Sequence, residues 1–193
     1  GFIEEHLLER FIEIELGVAL AGGLSAPILF KVYTNGSAFH VALYGLVLLT
    51  GTLVGLEIPL LIRILKFSLD LKDLVARVLT LDYIGALIAS LLFPSLLLPR
   101  LGLHQTSLLF GLLNVVVAFV ATFLFPLDRR VTVKLRLQAV VVGVVLSVLL
   151  AVVTQVVDRA ESSYLGAPIV YAEQSPYQRV VLTQTERTTR LFL

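Results

Sequence analysis

Cysteine, methionine and tryptophan are all missing from this chain of 193 residues. Without cysteine there is no disulfide, no thiolate metal site and no cysteine nucleophile. The chain opens on Gly1 with neither an initiator methionine nor a cleavable signal pattern, which leads us to expect an internal piece of a longer protein. Charge is scarce as well: 15% of residues are charged and the formal net charge is +1. A protein that binds a phosphate backbone needs a concentrated basic face, so no nucleic-acid partner is expected. His6, His40 and His104 stand too far apart for ligand spacing, and no metal site is expected. Neither a phosphate-cradling glycine loop nor a Ser/His/Asp set occurs, so the helical part offers no catalytic residue.

What the chain has instead is apolar residue. Hydrophobic residues make up 58% and the mean hydropathy is +0.95, more than one water-soluble core of this length could bury. The expected fold is an all-α polytopic membrane helix bundle at residues 1–157, with the lipid bilayer as its main partner. A spanning helix needs about 20 mostly apolar residues. Five stretches qualify, at about 11–30, 39–61, 81–98, 106–127 and 137–157. Pro94 falls inside the third, where it would leave the Ser90 carbonyl without its helical donor and kink the span. Residues 62–79 are too charged to span, but their apolar positions recur at helical spacing, as expected of a helix lying in the interface.

Small residues four apart let helices approach closely in lipid, and they occur at Gly17, Ala21 and Ser25, at Gly51 and Gly55, and at Gly85 and Ala89. The lone polar residues Asn114 and Gln155 are expected to form interhelical hydrogen bonds. Loop charge sets orientation. Residues 62–80 and 128–136 carry eight Lys and Arg, whereas 31–38 and 99–105 carry only Lys31 and Arg100. This predicts a multi-pass inner-membrane protein with the first pair of loops cytoplasmic and the C-terminal tail extracytoplasmic.

Ionisable groups at membrane depth are costly and mark candidate sites. Glu13, Glu15, Glu57 and Asp82 all fall near one leaflet, with Glu15 and Glu57 each about 6 Å inside a helix end at 1.5 Å per residue. One reading is an acidic vestibule that attracts a cation such as an amine. The other is structural: Asp82 complements a helix start, Glu13 pairs with Arg10, and all four reach the interface.

The last residues follow other rules. A polar linker at 158–166 ends the apolar composition, and 167–193 reads as the start of a small antiparallel β-domain, incomplete here. Strand-like runs at 168–173, 177–183 and 189–193 are separated by turn residues. The run Glu173-Gln-Ser-Pro-Tyr-Gln-Arg-Val-Val-Leu-Thr183, followed by Arg190-Leu-Phe-Leu193, resembles the entry into the spermidine synthase (polyamine aminopropyltransferase) domain. The segments Phe11-Ile-Glu-Ile-Glu-Leu16, Gly55-Leu-Glu-Ile-Pro-Leu60, Leu81-Asp-Tyr-Ile-Gly-Ala-Leu87 and Ser90-Leu-Leu-Phe-Pro94 resemble helices of its multi-pass bacterial members.

The resemblance implies a transferase that moves an aminopropyl group from decarboxylated S-adenosylmethionine, a co-substrate rather than a bound cofactor, to putrescine or a similar amine. It implies that Gln178 helps hold the nucleoside substrate, and that the Rossmann-like domain with the catalytic carboxylates lies outside these 193 residues. A competing reading is a polyamine-binding or transport-related bundle with a non-catalytic synthase-like domain; a third is a plain anchor. A homo-oligomer stays open.

Overall fold

The computed structural model describes residues 2–34, 38–66, 71–125, 127–175, 179–185 and 188–192. The chain is mostly helical, with α1 at Phe2–Thr34, α2 at Phe39–Leu65, α3 at Leu71–Leu92, α4 at Leu98–Leu124 and α5 at Arg129–Leu165. A three-stranded antiparallel sheet follows, β1 at Ile169–Gln174, β2 at Arg179–Gln184 and β3 at Thr189–Phe192, in the order β1-β2-β3. This is the meander expected from the Val- and Tyr-rich runs. One irregularity interrupts the β1–β2 register, between Ile169 and Tyr171.

The expected five separate spans require correction. Among the described residues, four continuous helical stretches are long and apolar enough to cross a membrane, and the third, Lys72–Leu124, contains both the third and the fourth expected span. The two are joined because Pro94 does not end the helix. It sits in a π turn, Phe93–Leu97, closed by the Leu98 N–H donating to the Phe93 carbonyl. The wider turn re-routes the ladder around the missing proline donor, which is how helices commonly absorb such a break. The stretch is nevertheless sharply folded. Gly102 has φ 72° and ψ 174°, a conformation essentially confined to glycine. Beyond it the Thr106 hydroxyl donates to the carbonyl of Gly102 at 2.7 Å and lies 3.4 Å from that of Leu97. Nine residues of straight helix would separate Thr106 from Leu97 by about 13 Å. The chain therefore turns back at Gly102.

Two further expectations shift. Residues 62–79 do not form one interfacial helix: Ile62–Leu65 end α2 and α3 begins at Leu71, while 67–70 lie outside the described residues. The linker at 158–166 is helical through Leu165 and stops at Gly166, whose φ of 68° supplies the left-handed cap.

The core forms where α1, α4 and α5 meet, around Ile12, Ala19, Leu108, Ala118, Leu135 and Leu146. Its tightest point is Gly111 of α4: a Cβ there would lie 2.6 Å from the Ala19 carbonyl oxygen and 2.9 Å from the Gly23 Cα. The Ser107 hydroxyl donates to the Gly23 carbonyl across the same contact at 3.1 Å. Of the small-residue faces expected to pack, Gly17 meets Leu53 of α2, but nothing lies within 4 Å of a Cβ at Gly51, Gly55 or Gly85. No residue of α2 is buried.

Candidate functional sites

Two ends of the bundle emerge from the interhelical contacts. At one, Lys134 at the start of α5 donates to Glu9 at 2.9 Å and to Glu13 at 3.1 Å, and Glu13 also pairs with Arg10 at 3.1 Å. Close by, Arg136 donates to the Thr122 hydroxyl and carbonyl near the end of α4, and its guanidinium stacks 3.8 Å from the Phe123 ring centroid. This is the basic end. At the other, Phe30 near the end of α1 meets the His104 ring edge-on at 5.1 Å. There the Gln105 amide donates to the Thr154 hydroxyl of α5 at 2.6 Å. β1 lies against α4 here, so this is the sheet end.

The four acidic candidates do not form one group. Glu13 and Glu15 are two residues apart on α1 and so face different ways. Glu13 turns to Arg10 and Lys134. Glu15 turns inward and is 7% exposed. It lies within electrostatic reach of Glu57 on α2, and Glu57 in turn within reach of Asp82 on α3. Glu57 presents a buried Oε1 with no hydrogen-bond partner, whereas Asp82 is exposed. The three differ in burial: Glu15 is buried, Glu57 partly buried and Asp82 exposed.

At the sheet end a cavity of about 410 Å³ lies between the α3–α4 fold, the end of α5 and β1, with Arg100, His104, Asp158 and Glu173 among its lining residues. On β1 the Tyr171 hydroxyl donates to the Glu173 carboxylate, and this bond, helped by the carboxylate's charge, holds the phenol above its ordinary pKa of 10.0. Gln178 lies outside the described residues.

Sequence reasoning missed the polar links between helices. Gln155 is exposed, and the amide that joins α4 to α5 is that of Gln105. Asn114 lines an apolar cavity of about 320 Å³ with Val18, Gly22, Phe93 and Phe110. The Gly23–Gly111 contact was also missed, although Ala19–Gly23 and Ser107–Gly111 are small-residue pairs four apart, because such pairs are common in apolar helices.

The geometry defines a helical bundle that carries a small antiparallel sheet. Over its whole length this chain is similar to curated proteins named polyamine aminopropyltransferase. It is 43% identical over 192 residues to the one from Leptospira interrogans, covering 100% of this chain and 39% of that protein. It is 42% identical over 196 residues to polyamine aminopropyltransferase 2 of Ralstonia nicotianae, covering 98% and 38%. The similarity to the Oceanobacillus iheyensis protein is 36% over 191 residues, covering 97% and 37%. The chain thus spans under two fifths of the length of these relatives. No family model matches the chain, and no solved structure matches it significantly.

Proposed function

We infer that this chain is the N-terminal, membrane-embedded part of a polyamine aminopropyltransferase. The observation that carries this is the alignment with the Leptospira protein, which covers the helices and the sheet together: 43% identity over 192 residues, 100% of this chain. A relative of the sheet alone would leave the helices unexplained, and a relative of the helices alone would leave the meander unexplained.

The chemistry is a displacement at carbon. The amine nitrogen of putrescine or a similar acceptor attacks the aminopropyl carbon bound to the sulfonium of decarboxylated S-adenosylmethionine, the C–S bond breaks, methylthioadenosine leaves and the nitrogen loses a proton. An ammonium has no lone pair, so a base must first deprotonate it. In this reading the meander opens the substrate-binding part, and Gln178 contacts the nucleoside of the donor by the resemblance. The base belongs to the sequence that the longer relatives have and this chain does not span.

Membrane embedding is supported by the exposed apolar faces. Val41, Tyr44, Leu48 and Leu56 of α2 and Leu81, Tyr83, Leu87 and Leu91 of α3 are all exposed. Contiguous apolar surface on this scale needs a nonaqueous neighbour; the bilayer is the proposed one, and a second copy its competitor. Lys134 and Arg136 lie at the basic end, with Arg129 and Arg130 just before them in sequence, and by loop charge this supports a cytoplasmic basic end and an extracytoplasmic sheet end.

Two experiments test the reading. The longer protein containing this chain, purified in detergent with decarboxylated S-adenosylmethionine and putrescine, should yield spermidine and methylthioadenosine in equal amounts; no product would overturn the assignment. A reporter fused after Ser163 should report from outside the cytoplasm. A cytoplasmic signal would reverse the orientation and leave the reaction untouched.

A further inference from the structure

Two cavities adjoin at the sheet end, and the proposed reaction uses neither. The first, of about 410 Å³, has Arg100, Asp158 and Glu173 in its lining. The second, of about 320 Å³, is apolar; Phe110 and Asn114 of α4, Gly22 of α1 and Phe93 of the π turn are in its walls. Leu103 lines both, so the charged cavity leads into the apolar one. Helix from Leu103 to Asn114 rises about 16 Å at 1.5 Å per residue, about half the thickness of a bilayer's hydrocarbon core. Arg100 stands in the fold-back just before Gly102, and among the described residues nothing accepts a hydrogen bond from its guanidinium. That planar fork of donors matches phosphate oxygens. The apolar cavity has room and little free polarity. Nothing lies within 4 Å of a Cβ at Gly22, and the Thr106 and Ser107 hydroxyls on its wall already donate to Gly102 and Gly23.

We propose that the two cavities together hold one phosphatidylethanolamine: its phosphate on Arg100, its ammonium toward Asp158 and Glu173, and one acyl chain along α4 past Gly22. A simple anion in the charged cavity would meet two carboxylates, and a simple cation would meet Arg100. A headgroup that carries both charges matches both. A choline headgroup has no N–H to donate to a carboxylate, and a glycerol headgroup has no cation, so the ammonium selects among lipids. The apolar cavity suits hydrocarbon and not a soluble zwitterion. The inference rests on the membrane embedding proposed above and is independent of aminopropyl transfer.

The test is lipid titration of the longer protein containing this chain, read by native mass spectrometry from detergent, with ethanolamine, choline and glycerol phospholipids of identical acyl chains. One ethanolamine lipid should bind per chain, with an apparent Kd about 10-fold below those of the other two, the scale of one charged hydrogen bond. Arg100→Gln should raise that Kd about 10-fold; Arg100 is exposed and unpaired, so folding is not at stake. Asp158→Asn combined with Glu173→Gln should bring the ethanolamine and choline lipids within about 2-fold of each other. Gly22→Leu fills empty space and should weaken the intact lipid several-fold, while leaving glycerophosphoethanolamine, which has no chains, unchanged. The proposal is overturned by equal binding of ethanolamine and choline lipids to the parent protein, by Arg100→Gln or Gly22→Leu binding the lipid as the parent does, or by glycerophosphoethanolamine binding as tightly as the intact lipid. Carbonate extraction of membranes separates the two readings. Release of the protein removes the embedding and the lipid site with it, whereas a retained protein without lipid preference overturns the lipid site alone.

Discussion

Helices α2 and α4 are the same length, 27 residues each, and both are strongly apolar, yet their surroundings are opposite. α4 buries Thr106, Leu108, Gly111, Val115, Ala118, Ala121 and Thr122 against its neighbours. α2 buries nothing. Apolar content therefore does not decide which helix packs inside the bundle. What separates them is small residues that meet backbone. Gly111 faces Ala19 and Gly23, whereas Gly51 and Gly55 face open space. α4 also offers hydroxyls that reach across, Ser107 to Gly23 and Thr122 to Arg136. In a lipid surrounding, where leucine gains little by leaving one apolar medium for another, close backbone approach and interhelical hydrogen bonds are the forces that remain.

This comparison can be broken most severely at Gly111. Gly111→Val should push α1 and α4 apart and lower stability by about 3 kcal/mol, the upper range for overpacking, seen as a lower midpoint in thermal unfolding in detergent. An unchanged midpoint would remove the contact from the account. Gly102→Ala should cost about 2 kcal/mol through backbone strain alone, since nothing lies within 4 Å of its Cβ position; the same unfolding experiment reads it, and a stabilised protein would contradict the fold-back. Gly51→Val and Gly55→Val sharpen the contrast from the other side. With open space at both positions, the expected change is under about 0.5 kcal/mol, as for surface sites generally, and a loss near that of Gly111→Val would mean that α2 packs against something outside this chain.

Smaller effects are expected from charge. Lys134→Ala breaks the links to Glu9 and Glu13, and the loss should shrink as salt rises toward 1 M, where the screening length falls to about 3 Å. A salt-independent loss would point to packing instead. The smallest effect concerns Tyr171 on β1. Because its folded pKa is raised, its bond to Glu173 contributes below the unfolded value near 10.0 and is lost as pH rises through the higher folded value. In an ultraviolet titration Glu173→Gln should bring one tyrosine back toward 10.0; no shift would show that the bond does not persist.

Much of the architecture was legible from residues. The apolar runs all fell within helices, though not with the observed bounds or joins, and the Val- and Tyr-rich tail gave a three-strand meander in its observed order. The acidic candidates were found because a carboxylate inside an apolar run is conspicuous. Their grouping was not legible. Glu13 and Glu15 look equivalent in sequence, but helical geometry turns one toward Lys134 and buries the other. Pro94 was expected to kink the third span, and a π turn accommodates it. The actual break is at Gly102, which in sequence is one glycine among 13.

The sequence by itself determined that this is a mostly helical chain ending in a small sheet, because composition and period fix local structure one segment at a time. Tertiary structure alone decided which helices pack, that two expected spans form one folded stretch, and that Glu13 pairs with Lys134 while Glu15 is buried. Those outcomes depend on where backbones approach and which way each side chain faces, and both are properties of pairs of helices that no single segment encodes.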